Sequence, residues 1–325
     1  MDPWKINEKD FPKDGTARDK MMFLLRYAIL APSTHNTQPW KFHIENSKIQ
    51  FFADKERWLK IADPGQRESH ISVGCALENL LIAADHFGYD ANLAHFPEKK
   101  REDFVAEVSF SVSKKTKMLN AIFDAITKRH TNHKVYEKRK ISKEHVKKLE
   151  SCCTVEGVRI DLTDDDNVKI KAEELYTQGI LTNFANPKYR QELAYWVGEG
   201  VFGTPWLISQ LARLAVSRAS YGKSTAEKGS KALLSASHLG LISSKTDDKL
   251  SWVKTGQVFE RLALTATSLD IRIQVGSDIC QIPELRKKLQ AIIPGMKEIP
   301  QMPFRLGYAE PEKHTPRRSL EEVLV

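Results

Sequence analysis

The feature that most constrains this chain is an internal repeat. Gly74 to Ala84 (GCALENLLIAA) and Gly256 to Ala266 (GQVFERLALTA) share the pattern G-x-x-x-E-x-L-x-[IL]-x-A. Each stretch carries apolar residues at i, i+3, i+4 and i+7, the spacing of a well-buried helix. Two such helices in one chain point to duplication. The flanks agree: the first is followed by Gly88-Tyr89-Asp90 and a predicted strand, Phe104 to Val112, the second by Leu269-Asp270-Ile271 and a strand-like Phe304 to Tyr308.

The chain has 325 residues, beyond the roughly 100–200 of one ordinary domain, and it reads as two tandem degenerate halves, 1–117 and 118–325. The boundary falls near residues 113–125, where Ser113 to Lys117 is polar and basic and a helix is predicted over Met118 to Thr127. No long Pro/Gly linker separates the halves, so they are expected to pack as one body. In the second half we expect a helix from Ser142, its N-cap, to Cys152, a strand from Val158 to Leu162 and a helical stretch near Val168 to Tyr176. The segment from Tyr195 to Leu234 is punctuated by Gly198, Gly200, Gly203, Pro205, Gly222 and Gly229. It reads either as a mobile cover over a pocket or as an ordinary helical insertion.

Composition excludes several classes. Hydrophobic residues at 41% and charged residues at 28% are those of a folded globular protein, not a disordered one. No apolar run approaches the roughly 18–20 residues of a membrane span, and the Met1 to Lys5 start lacks the features of a secretory leader. A cytoplasmic protein without a membrane partner is therefore expected. Cys75, Cys152, Cys153 and Cys280 have no CxxC spacing, so neither a metal site nor a disulfide framework is expected. The charge of +8 and pI near 9.1 come from lysines interleaved with acidic residues, without a nucleic-acid-binding motif. We expect no nucleic-acid partner, and a pocket for an anionic small molecule accounts for part of the bias.

The most specific string is Ala31-Pro32-Ser33-Thr34-His35-Asn36-Thr37-Gln38-Pro39-Trp40-Lys41-Phe42. Locally it predicts a helix, Met21 to Leu30, that stops before a proline, then a loop rich in hydroxyl and amide groups, then a strand. It resembles the A-P-S-x-x-N-x-Q-P-W-x-F signature of the FMN-dependent nitroreductase family. That family's opening R-x-S-x-R segment, which holds the flavin phosphate, is missing from the first half. The second half has a similar one in Arg129-His130-Thr131-Asn132-His133, with Thr for Ser and His for the second Arg. An arginine fork beside a hydroxyl suits phosphate oxygens. The second half in turn lacks the A-P-S-x-x-N loop.

Family homodimers bind flavin between subunits, so this complementarity resembles a fused pseudo-dimer that keeps one of two sites. Gly276, in Leu269 to Gly276, matches the position whose backbone N–H faces N5 of the flavin, although Val275 stands where an acidic residue is usual. Arg305-Leu306-Gly307-Tyr308 with Thr315-Pro316-Arg317-Arg318 is similar to the family's closing segment, whose arginines complete the phosphate clamp. Within the family, the fused single-site pattern, the insertion and the Ser243 to Asp248 run ahead of Trp252 look most like the Acg subfamily.

The resemblance implies an α+β nitroreductase-like fold, two antiparallel-rich sheets flanked by helices, and FMN as cofactor. It assigns cofactor binding to Pro32, Ser33, Thr34, Asn36, Gln38, Arg129, Thr131, His133, Gly276, Arg317 and Arg318. It implies hydride transfer from NAD(P)H to a small electrophilic acceptor, a nitroaromatic or quinone, with no catalytic side chain, since the flavin carries the redox chemistry. The alternative is a protein that stores FMN beneath the insertion with little turnover. A monomeric pseudo-dimer or a homodimer is compatible with either.

Overall fold

The computed structural model describes residues 2–114, 121–293 and 295–325. In the first half, α1 (Ala17–Ala28) precedes β1 (Trp40–Glu45), β2 (Lys48–Ala53), α2 (Arg67–His86), β3 (Tyr89–His95) and β4 (Phe104–Val112). The helix expected from Met21 starts earlier, because Thr16 and Asp19 exchange side-chain and backbone hydrogen bonds in a capping box. β4 has the bounds read from the alternation. α3 (Ala121–Ile126) falls inside the helix predicted over Met118 to Thr127. Met118 to Asn120, and with them the boundary at 117/118, lie outside the described residues.

The second half continues with α4 (Lys143–Glu150), capped by the Ser142 hydroxyl, which accepts from the His145 N–H at 3.2 Å. β5 (Val158–Thr163) leads into α5 (Asp166–Ala185), α6 (Pro187–Gly198), α7 (Trp206–Val216) and α8 (Tyr221–Leu234). Then come β6 (His238–Ser244), α9 (Lys249–Ser268), β7 (Arg272–Val275), α10 (Asp278–Gln281), α11 (Pro283–Ile292), β8 (Ile299–Gly307) and α12 (Leu320–Val323).

Two antiparallel sheets result, in the orders β1-β2-β4-β3 and β5-β6-β8-β7. The topology is the same in each, with the repeat helix, α2 or α9, running between the second and third strands in sequence. The departure lies between the first two strands. β1 and β2 turn tightly at Asn46-Ser47, with Asn46 in the left-handed region at φ 54°, whereas residues 164–237, carrying α5 to α8, separate β5 from β6. The glycine-punctuated segment is thus part of a larger helical insertion.

Both repeat helices are buried on nearly all sides, as an apolar helix at the centre of a body should be. They cross in backbone contact: a Cβ placed on Gly74 would lie 2.1 Å from the Val253 carbonyl oxygen, and one on Gly256 only 1.9 Å from that of Ile71. Only glycine fits at either place. Past β8 the chain returns to the first half, where Leu324 bridges Phe42 in parallel and the Val325 N–H donates to the Phe42 carbonyl at 2.9 Å. One apolar core joins α1, α2 and the first sheet to α9 and the inner face of the second sheet. A second, smaller core lies between the outer face of that sheet and α5, α8 and α11. No described helix is long and apolar enough to cross a membrane, and the described residues hold no cluster of three or more metal-ligating side chains.

Candidate functional site

The loop from Ala31 to Gln38 is held in an unusual backbone. His35, Asn36 and Gln38 all have left-handed φ, at 49°, 52° and 52°, which for residues other than glycine costs energy that surrounding contacts must offset. Those contacts come from the loop itself and from two distant segments. Within the loop, the Ser33 hydroxyl accepts from the Gln38 N–H at 2.9 Å. From the insertion, the Val201 carbonyl accepts from Asn36 Nδ2 at 2.6 Å. From the returning tail, the Pro316 carbonyl accepts from the same Nδ2 at 3.0 Å, Arg317 Nη1 donates to Asn36 Oδ1 at 2.9 Å, and the Arg318 N–H donates to Gln38 Oε1 at 2.7 Å. Ser33, Asn36, Gln38, Arg317 and Arg318 therefore meet in one network. Thr34 faces the Glu68 carboxylate, and Pro32 is half-buried at the mouth of the loop.

Behind this loop two arginines converge. Arg129 is buried, with Nε 3.3 Å from Glu260 Oε1, and the Leu30 carbonyl accepts from Arg129 Nη2 at 3.4 Å and from Arg317 Nη2 at 3.1 Å. Burial raises the Glu260 carboxyl to about 7 against the opposing pull of Arg129 and Arg317. Burial, reinforced by Arg129, disfavours the charge on Arg317. Arg129 Nε and Glu260 meet as an ion pair outside hydrogen-bond geometry, and Arg317 Nε has no hydrogen-bond partner among the described residues. Two cations facing one weakly ionised carboxylate leave surplus positive charge in a desolvated place, which favours an anion.

Thr131 and His133 stand farther along, at the edge of β7. Thr131 bridges Ile273, and the His133 N–H donates to Glu312 Oε2 at 2.6 Å while its Nδ1 meets Gln274 Nε2 at 2.9 Å. A carboxylate thus already sits on the backbone of this turn. The Gly276 N–H donates to the Pro303 carbonyl at 2.9 Å, so that amide is engaged within the second sheet in this arrangement.

A buried acidic cluster beneath the loop was not anticipated. Glu68 accepts from Arg67 Nη2 at 3.0 Å and Gln281 Nε2 at 3.1 Å; Asp63 accepts the Ser69 N–H at 2.9 Å, and Asp278 accepts from Asn183 Nδ2 at 3.1 Å. Burial, with Glu68 adding to it, raises Asp63 to about 7 and Asp278 to about 6. Burial also lowers His35 to about 4, and its ring lies edge-on to Tyr189 at 6.4 Å. The available signal was Asp63-Pro64-Gly65-Gln66-Arg67-Glu68, a turn followed by two charges at the start of an otherwise apolar helix. The insertion docks close by: Glu192 of α6 accepts from the Ile61 and Ala62 N–H groups at 3.0 and 2.9 Å, and Arg57, which also donates to the Thr37 carbonyl, lies over the Trp196 ring at 4.9 Å.

No family model matches the chain. Two proteins of Mycobacterium tuberculosis, each named provisionally as an NAD(P)H nitroreductase, are similar to it from end to end. Rv3131 is 26% identical, over 97% of this chain and 92% of its own. Acg is 26% identical, over 96% of this chain and 97% of its own. Among solved structures, the FMN-bound nitroreductase of Bacteroides fragilis overlays 61% of this chain and 95% of its own at 16% identity and a TM-score of 0.38. The FMN-dependent nitroreductase NfnB of Mycobacterium smegmatis, solved with NADPH, overlays 62% and 96% at 12% identity and a TM-score of 0.41. The similarity to the Acg-like proteins named as NAD(P)H nitroreductases extends over nearly the whole chain, and the overlay on FMN-dependent nitroreductases of known structure covers about three fifths of it.

Proposed function

We propose that this protein binds one FMN between its halves and acts as an NAD(P)H-dependent oxidoreductase on a small electrophilic acceptor of the nitroaromatic or quinone class. The observation that carries this reading is the convergence of Arg129 and Arg317 on the Leu30 carbonyl, two guanidinium groups that share one buried carboxylate, Glu260, directly behind Asn36. A phosphate dianion matches that charge and those donors. The full-length similarity to proteins named as NAD(P)H nitroreductases supports the same donor and reaction class.

The residues that hold the cofactor are Arg129 and Arg317 on the phosphate, with Pro32, Ser33, Thr34, Asn36 and Gln38 shaping the wall from the first half. Arg318 acts by fixing Gln38. Thr131 and His133 lie on the β7 edge next to Glu312, and any part they take requires that carboxylate to yield the His133 N–H. The fit is weaker at Gly276, whose N–H is committed to Pro303. When bound, the flavin supplies the two-electron redox chemistry. The chain's own contribution is orientation and exclusion of water, and the Asp63 carboxyl, raised to about 7 by burial, stays partly protonated at neutral pH beneath the loop.

One observation favours a storage role instead. The clasp between Asn36 and the Val201 carbonyl ties the insertion over the loop, and a cover that stays closed denies a nicotinamide ring the close approach that hydride transfer needs. Reconstituting the protein with FMN and adding NADH or NADPH without oxygen separates the two. Bleaching of the oxidised flavin band, restored by a quinone, is the expected result. Bound flavin that resists both donors leaves storage; failure to bind FMN overturns both readings.

A further inference from the structure

Helix α7 turns its apolar face away from the body. Ser209 and Val216, on one side, are its buried positions. Polar contacts hold that side in place: Thr204 Oγ1 meets Ser209 Oγ at 2.6 Å, and Gln210 Nε2 donates to the Gly198 carbonyl at 3.0 Å. On the opposite side Leu207, Leu211 and Leu214 follow one another at i, i+4 and i+7, which makes one continuous stripe. They and Trp206, the first residue of the helix, are between 63% and 74% exposed. Ile208, and Phe202 ahead of the helix, are exposed as well.

Single exposed apolar side chains are ordinary, but a contiguous stripe marks an interaction surface. The charge around this one has a single sign. From Gly200 to Ala226 the chain has no Asp or Glu, and the exposed Arg213, Arg218 and Lys223 are its charged side chains. Size and charge together decide what covers the stripe. A second copy meeting it about a two-fold axis would bring those cations toward their own counterparts. An 11-residue helix also offers a face of only about 16 Å by 10 Å, and two such faces bury far less than the roughly 1,200 Å² of a stable protein interface. A bilayer carries neither penalty. Helices with large apolar residues on one face and Lys or Arg beside them lie in the membrane interface, held by the apolar area they bury and by attraction to anionic headgroups.

We propose that α7 attaches the protein to an anionic lipid surface. Leu207, Leu211 and Leu214 enter the acyl boundary, Trp206 sits at headgroup level as interfacial tryptophans do, and Arg213, Arg218 and Lys223 meet lipid phosphates. A peripheral contact of this kind needs no apolar run of spanning length, on whose absence the expectation of no membrane partner rested. It is independent of the flavin reading, since none of these side chains is assigned to FMN.

Flotation of the full chain with vesicles of phosphatidylcholine, alone or with about one third phosphatidylglycerol, tests the attachment. Partition to the anionic vesicles is expected to be at least tenfold stronger than to the neutral ones, and to weaken with salt. Leu207→Ser combined with Leu211→Ser changes only exposed positions and should lower that partition at least tenfold, whereas a general attraction of a chain with net charge +8 would be unmoved. Arg218→Gln with Lys223→Gln should weaken binding to the anionic vesicles. Absence of binding, equal binding to neutral vesicles, or parent-like binding by the serine variant with an unchanged circular dichroism spectrum would each overturn the proposal. So would a concentration-dependent dimer in lipid-free sedimentation that the serine variant abolishes, which gives the stripe to a second copy.

Discussion

Gly74 and Gly256 face each other where α2 and α9 cross: a Cβ on Gly74 would lie 3.1 Å from the Gly256 Cα, and one on Gly256 2.9 Å from the Gly74 Cα. These are the leading glycines of the two repeat units, so the pattern that revealed the duplication also marks the contact between its copies. Because each added methyl would strike a carbonyl in the opposite backbone, the helices must move apart. Gly74→Ala and Gly256→Ala are each expected to destabilise by about 3 kcal/mol or more, read as the urea midpoint at constant slope. Alanine variants as stable as the parent would mean that the helices are not in backbone contact.

Arg129 is expected to serve both folding and binding. Arg129→Ala strands Glu260 in the core, a change of about 3–5 kcal/mol, and adding Glu260→Gln should recover most of the loss. In that double variant FMN affinity should still fall while riboflavin affinity, which involves no phosphate, stays level. Equal loss for both flavins in titrations would remove Arg129 from the phosphate site.

Three carboxyls, Glu260 and Asp63 buried and Asp278 half-buried, set a pH dependence. Glu260, Asp63 and Asp278 have folded values of about 7, 7 and 6, above the ordinary carboxylate range near 4. The folded state therefore binds more protons than the unfolded one between about pH 4 and 7, and stability falls as pH rises through that window. Asp278→Asn is expected to flatten the decline between pH 5 and pH 8. Urea melts of parent and variant at the two pH values check this, and an unchanged slope would contradict the burial of that carboxyl.

The insertion can be opened selectively. α8 is integral, since its Gly229 lies against the Tyr176 ring of α5, whereas Leu207, Leu211 and Leu214 of α7 are well exposed. Replacing residues 203–219 by a short Gly/Ser bridge removes α7 and leaves α8. If the cover gates access, flavin reduction by NAD(P)H in stopped flow should quicken at least tenfold. Unchanged rates at equal FMN occupancy would place the gate elsewhere.

Much of the architecture was legible from periodicity. The two repeat helices, β4 and the Ser142 cap follow from local patterns that their surroundings do not override. β7 was not legible, because four residues, Arg272–Val275, are too few for alternation to register. The full extent of the insertion escaped for another reason: α5 has little contrast between its faces, so only its start read as helix. The Ala31 to Gln38 loop and the tail arginines were visible as motifs, but their convergence with Val201 is a tertiary fact. So is the acidic cluster, whose raised carboxyls reflect burial that no local spacing encodes.

The returning tail gives the molecule an interlocked construction. Residues 308–325 belong to the second half in sequence yet finish the first sheet at Phe42, and Trp4, at the other end of the chain, stacks on His314 at 3.9 Å. Neither half is a closed body without the other. A polypeptide severed between the halves is thus equivalent to an obligate heterodimer with exchanged arms: fragments 1–117 and 118–325 made separately should each expose half a core and should regain a native fold only on mixing, which makes this chain a natural scaffold for split-protein complementation.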